Sequence, residues 1–365
     1  MFLLPLSTLP KIPKINKKAA NGRLKFLKEE NKVKRVLIDK EAKFYKANLH
    51  THSTFSDGKL TPEELKAEYK KRGYSILAIS DHEHLIDFSY LDDEDFLTIT
   101  SCELAIKEFP EQSTLKNYNM RVTHLNVYAK DQHNTVTPCY SSVADHFWKQ
   151  DFKHLIKHNG EYTRVYSPDG VNDIIAKCND QGFLVAYNHP TWSLETAEDY
   201  IHYSGLFAVE IYNHGCAIQS GINDEGALDN FWRAGKPLLC LCGDDAHEVL
   251  PANENSDAFG GFIMLSANSL CYKDVMHALE GGDFYASSGP KIYSLIVENG
   301  VAKIEFSPSA SAHLITSGRR TDRKTAKQNE TISYAEFPLM ESDGYFRITV
   351  VDKSGKKAYT QFYEI

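Results

Sequence analysis

Between residues 44 and 242, short apolar runs alternate with helix-patterned segments, and this alternation restricts the chain more than any other feature. The apolar runs fall at 44–49, 75–80, 96–102, 122–128, 183–187, 206–212 and 237–242. Helix starts stand between them. Thr61-Pro62-Glu63-Glu64 supplies an N-cap residue, a proline at the first helical position and a glutamate three residues after the cap. Ser167-Pro168-Asp169 repeats the cap-plus-proline start, and Val171, Ile174, Ile175 and Cys178 follow at helical spacing. Two more helices are expected over 224–234 and 272–279. Strands that alternate with helices predict an α/β fold built on a parallel sheet or barrel.

Polar residues of metal-ligating type gather at the ends of these runs. His50 and His52 close the first run, and residues two apart on a strand point to the same side. Both imidazoles can therefore meet one ion, with Asp57 reaching in from the following turn. Asp81-His82 follows the second run and Glu103 ends the third. His189 follows the fifth, Glu210 lies in the sixth, and Asp245-Ala246-His247 follows the seventh. A barrel collects the C-terminal ends of its strands on one face, which would join these scattered positions in one site. His124 is the exception, because it stands at the start or middle of its run.

After Gly289-Pro290 the pattern changes to short strands alone, expected at 292–297, 302–306, 313–316, 331–337, 345–351 and 359–365. These read as a small β-sandwich, with 318–330 as a polar, basic loop. The expected organisation is an N-terminal arm over 1–43 packed on the main domain, a domain over 44–290, and the sandwich over 291–365. A strand is expected over 33–38 within the arm, and 107–121 and 131–165 read as loops or lids. At 365 residues the chain is long enough for one large domain and one small one.

The net charge of −8 and the lack of a basic run beyond residue 40 speak against a broad nucleic-acid-binding face. The seven cysteines show no framework spacing, which fits a reducing compartment. Cys240-Leu241-Cys242 could place two thiols on one face, although free cysteines are commonly small buried hydrophobes. Residues 1–9 are too short, and too interrupted by Pro5 and the following Pro10, to read as a signal peptide. No run has the roughly 18 apolar residues that a membrane span needs. A cytoplasmic chain without a membrane partner or an evident partner protein is expected.

His50-Thr51-His52, Ser56-Asp57-Gly58, Ser80-Asp81-His82, Glu103, His124, His189 and Asp245-Ala246-His247 together resemble the PHP family, named for polymerase and histidinol phosphatase. The likeness covers about 45 to 290. Gly282-Asp283-Phe284-Tyr285-Ala286-Ser287-Ser288-Gly289-Pro290 looks like the end of that domain in the stand-alone phosphoesterase branch, which often carries a small β-rich C-terminal domain. The resemblance implies a distorted seven-stranded TIM-like barrel holding two or three divalent ions, Zn, Mn or Fe. Carried over to this chain, His50, His52, Glu103 and Asp245 would bind the first ion. Glu103, His124 and His189 would bind the second, and Asp57, His82 and His247 the third.

Imidazole and carboxylate suit Zn, Mn or Fe alike, and the absence of thiolate argues against a structural zinc of the cysteine type. Three divalent ions, about +6, against three carboxylates leave a cationic site that favours phosphate esters. The implied activity is hydrolysis of a small phosphate ester (a phosphorylated metabolite, nucleotide or short oligonucleotide) by a metal-bound hydroxide. Glu103 and Asp245 would hold the catalytic ions, and His84 is a candidate proton donor. Glu210, Asn213 and His214 are candidates for the substrate wall, and Asp81 for orienting a ligand. Hydrolysis of a C–N or C–O bond, or a non-catalytic scaffold, are the alternatives.

Overall fold

The computed structural model describes residues 34–109, 120–144, 150–253 and 255–365. Most of the expected N-terminal arm and part of each long insertion lie outside the described residues. The first strand is β1 (Lys34–Ile38). Then come β2 (Phe44–Asn48), α1 (Pro62–Lys71), β3 (Ile76–Ile79), β4 (Leu97–Lys107) and β5 (Val122–Ala129). Within the second insertion, β6 (Val136–Thr137) pairs with β7 (Lys157–His158). The chain continues through α2 (Pro168–Asp180), β8 (Phe183–Tyr187), α3 (Ala197–Tyr200), β9 (Ala208–Asn213), α4 (His214–Ser220), α5 (Glu225–Arg233) and β10 (Leu239–Gly243). It then adds β11 (Phe262–Ser266), α6 (Tyr272–Gly281) and β12 (Phe284–Ser287).

Each of the seven expected strands is present, as β2, β3, β4, β5, β8, β9 and β10. The expected caps form as well. Thr61 and Glu64 make a reciprocal capping box, and the Ser167 side chain accepts the Gly170 N–H. On α2, Val171, Ile174, Ile175 and Cys178 are buried against the sheet, and each fully buried aliphatic side chain contributes about 1.5–3 kcal/mol. Of the seven cysteines only Cys271 is exposed.

The strands form one mixed, hydrogen-bonded path, β10-β9-β8-β5-β4-β3-β2-β11-β12, rather than a purely parallel sheet. β2, β3 and β4 run parallel, as do β8, β9 and β10. β5 is antiparallel to both β4 and β8. Its first residues therefore lie beside the C-terminal ends of its neighbours, and His124 pairs with Ala105 near the end of β4. This reversal explains how a residue at a strand's start joins residues at strand ends. Backbone bonds beyond the ladders tie the segment after β10 to the segment after β2. Asp245 N–H donates to His50 O at 2.9 Å, and His52 N–H donates to Ala246 O at 2.9 Å.

The region after 290 contains β13 (Ile292–Glu298), β14 (Val301–Ser309), β15 (Ser311–Thr316), β16 (Thr321–Thr325), β17 (Ile332–Pro338), β18 (Tyr345–Val351), β19 (Lys357–Tyr359) and β20 (Tyr363–Glu364). One sheet, β1-β13-β14-β17, shares a core with β15 and β18 through Leu295, Ile304 and Phe337 against Leu314, Phe346 and Ile348. The other continues from β12 through β19, so the main sheet crosses the expected boundary at 290 unbroken.

Two expectations change here. β1 pairs with β13 of the C-terminal region, not with the main sheet. β16 occupies part of the expected loop at 318–330. It is an edge strand with no buried residue, so it lacks the apolar alternation that marks strands. Among the described residues, no helix is long and apolar enough to cross a membrane.

Candidate metal centre

At the end of β2 the chain turns through Ser53–Gly58, and this turn is held by one carboxylate. Asp81 accepts hydrogen bonds from the backbone N–H and hydroxyl groups of both Ser53 and Ser56. It thereby fixes the loop carrying His52 and Asp57. Gly58 packs so closely that an added Cβ would stand 2.2 Å from His52 O, so no larger residue fits the Ser-Asp-Gly turn as built.

The structure brings together all nine residues expected as ligands. Three groups have donor atoms within 4.8 Å of one another. They are His50, His52, Glu103 and Asp245; Glu103, His124 and His189; and His52, Asp57, His82 and His247. Their memberships match the three sets carried over from the family resemblance, except that His52 also enters the last group. Glu103 lies at the centre. Its Oε1 is 3.1 Å from His124 Nδ1, 3.3 Å from His50 Nε2 and 3.3 Å from His189 Nε2. Its Oε2 is 3.2 Å from His82 Nδ1 and 3.6 Å from His52 Nε2. Asp245 Oδ1 is 3.1 Å from both His50 Nε2 and His52 Nε2. Asp57 contacts His82 at 3.4 Å and His247 at 3.5 Å.

A cation fits these donors better than their own hydrogen bonding does. His50 Nε2, His52 Nδ1, His124 Nδ1 and Glu103 Oε2 are buried without a hydrogen-bond partner. Such atoms are costly to bury unless something else satisfies them. Near-contacts of about 3.1–3.3 Å that lack hydrogen-bond geometry mean that the donors converge on shared space. The set contains imidazoles and carboxylates only, which suits first-row divalent ions. Cys240 and Cys242 are buried in β10 and enter none of the three groups.

Burial alone would raise the Glu103 and Asp245 carboxyls, yet His124 and His50 beside the former and His50 and His52 beside the latter hold both well below the usual range. The cluster thus presents two ionised carboxylates. His189 and Asp245 both adopt positive φ, 27° and 56°. Backbone held in this sparsely populated region tends to occur where surrounding structure fixes a functional geometry.

A second layer holds the donors from behind. Glu210 Oε1 is 3.2 Å from His50 Nδ1, which aims the opposite nitrogen, Nε2, at Asp245 and Glu103. This carboxylate–histidine arrangement is typical behind metal ligands. Asn213 Nδ2 donates to Glu210 Oε2 at 2.9 Å and to Asp245 Oδ2 at 3.1 Å. Asn188 Nδ2 donates to Glu103 Oε1 at 2.7 Å. Gly243 makes room for this layer, since a Cβ there would meet Glu210 Oε1 at 2.5 Å.

Glu210 and Asn213 are therefore buried against ligand residues instead of lining an open substrate wall. His214 enters none of the three groups, and its Nδ1 lies 3.0 Å from the Tyr212 hydroxyl. His84 is buried beside Tyr140, and burial, reinforced by Arg164, Lys153 and His158, pushes its pKa down to about 3. Its surroundings disfavour the imidazolium form that the expected proton-donor role would use. Asn188 was not singled out from the sequence, because a lone Asn beside His189 carries no spacing signal.

Residues 48–211 match the PHP domain family. That match spans just under half of the chain. The matched span holds seven of the nine candidate ligands, from His50 to His189, and Asp245 and His247 follow it. Among solved structures, a two-domain protein from Bacteroides vulgatus, described as containing a predicted PHP-like metal-dependent phosphoesterase, is 14% identical. That match covers 90% of this chain and 96% of the other, with a TM-score of 0.44. A Bifidobacterium adolescentis protein, whose description as a metal-dependent phosphoesterase is likewise an inference, is 18% identical. It covers 59% of this chain and 91% of its own, with a TM-score of 0.31. No curated protein matches this chain in sequence.

Proposed function

We propose that this protein is a metal-dependent phosphoesterase acting on a small phosphate ester. The observation that carries the reading is the bridging position of Glu103 among His50, His52, His82, His124 and His189, with buried donor atoms lacking hydrogen-bond partners. His50, His52, Glu103 and Asp245 would hold one ion, Glu103, His124 and His189 a second, and Asp57, His82 and His247 a third. Divalent ions held there supply Lewis acidity toward phosphoryl oxygens and lower the pKa of water.

The chain's own residues do the rest. Glu103 and Asp245 stay ionised and set the positions of positive charge. Glu210 fixes the ring of His50, Asn188 orients Glu103, and Asn213 orients Asp245. Asp57, Glu103, Asp245 and Glu210 together offset about four charges, so three divalent ions would leave a net of about +2. An anionic phosphate ester is the substrate class that matches this balance. In the reaction, water oxygen bonds to phosphorus, the P–O ester bond breaks and a water proton goes to the leaving oxygen.

Mn- and Zn-loaded protein tested against phosphate esters, amides and lactones checks the reading. Phosphate esters should be cleaved, and chelation should abolish cleavage until metal is restored. Full turnover after thorough demetallation, or turnover confined to amides or lactones, would refute it.

A further inference from the structure

Trp192 is an exposed aromatic side chain at the rim of the candidate metal centre. It is 44% exposed, yet its ring centroid lies 5.0 Å from that of His189 and 5.4 Å from that of His124. Those are the two imidazoles grouped with Glu103. A single exposed apolar residue on a mobile loop would mean little. Here the backbone beneath it is fastened on both sides.

Thr191 donates both its N–H and its hydroxyl to Asp224, a buried carboxylate. Ser193 N–H donates to His189 O at 3.2 Å, and Leu194 N–H donates to Thr191 O at 3.1 Å. Glu195 then accepts hydroxyl groups from Thr123, Tyr166, Tyr187 and Tyr203. The N–H of Val122, at the start of β5, donates to Ser193 O at 3.2 Å and joins this turn to the strand that carries His124. Two buried acidic anchors thus hold the Thr191–Leu194 turn with a large indole at its solvent side.

On the reading that this site cleaves phosphate esters, we propose that Trp192 is a stacking platform, and that the substrate carries a planar ring of the nucleobase class joined to its phosphate through a sugar. The geometry supports this in three ways. The indole is rigidly presented, so stacking on it costs little ordering entropy. It is in ring contact with His189 and His124, so a planar ring stacked on it would lie beside the donors that would hold the phosphate, within reach of a sugar linker. Its π-face tolerates any base, because stacking does not read hydrogen-bonding edges.

The test compares adenosine 5′-monophosphate with ribose 5-phosphate, which differ only in the base. Dissociation constants are measured by isothermal titration for the metal-loaded wild type, Trp192→Ala and Trp192→Phe. Trp192→Ala should weaken the nucleotide about 10-fold, within the range for base stacking lost to alanine. Trp192→Phe should recover most of that loss, and ribose 5-phosphate should bind all three proteins alike. Equal weakening of both ligands, unchanged nucleotide binding in Trp192→Ala, or a wild type that binds the two ligands equally would overturn the proposal. Because the readout is binding, a wild type that hydrolyses no phosphate ester refutes the enzymatic reading while the same titrations still decide the stacking role.

Discussion

Asp244→Asn probes how the fold holds the metal centre without touching a candidate ligand. Asp244 is fully buried beside Asp245, and five donors converge on it. Gly260 and Gly261 N–H donate to Oδ1 at 2.9 and 2.7 Å. Phe259 N–H, the Tyr69 hydroxyl and Asn48 Nδ2 donate to Oδ2 at 2.8, 2.8 and 3.1 Å. Asparagine has one acceptor oxygen in place of two. With that oxygen serving the two glycines, its NH2 group faces the other three donors. The Tyr69 hydroxyl can rotate and accept, and the two Asn48 amide hydrogens keep Thr51 Oγ1 and His50 O as acceptors, which leaves the Phe259 N–H opposed. One buried donor unsatisfied at about 1–3 kcal/mol predicts a loss near ~2 kcal/mol. Urea unfolding at pH 8 measures it, where the carboxyl is ionised although burial pushes it up to about 7. Metal content per folded molecule, by elemental analysis, should stay close to wild type because every candidate ligand remains. A stability loss below about 1 kcal/mol would show that the five contacts do not act as a buried network.

Three further outcomes are expected. His50→Ala or Asp245→Ala should lower phosphoesterase turnover at least ~100-fold, the upper range for disrupting a metal site's support, while His277→Ala on the exposed face of α6 changes little. Equal kinetic effects at the two kinds of position would reject the ligand set. Glu210→Gln should weaken metal affinity ~10–100-fold by loosening the orientation of His50, read by competition with a chromophoric chelator; unchanged affinity would return Glu210 to a packing role. Gln361→Ala should cost about 1–3 kcal/mol and leave metal content unaltered. Its side chain accepts the Cys240 N–H and donates to Cys240 O and Phe284 O, at strand starts remote from the donors. Loss of a metal equivalent in folded Gln361→Ala would contradict that separation.

The strands and ligand types are legible in the chain because both rest on local signals. Apolar runs of the right length mark β2 to β5 and β8 to β10, and His50, His52, Glu103, His189 and Asp245 stand at or just beyond their ends. Cap chemistry at Thr61 and Ser167 marks the starts of α1 and α2 from a few neighbouring residues. None of these signals depends on which strand lies beside which.

Direction and partnership are different, because they arise from contacts far apart in sequence. Nothing within 122–129 states that β5 runs against β4 and β8, yet that reversal is what delivers His124 to Glu103. The pairing of β1 with β13, and the continuous sheet from β12 into β19, also depend on distant surfaces meeting. β16 escapes sequence reading because an edge strand with no buried face need not alternate. Roles behind the ligands follow the same rule. Glu210 and His50 are far apart along the chain and 3.2 Å apart in space, so only the tertiary structure decides that this carboxylate aims an imidazole instead of facing a substrate.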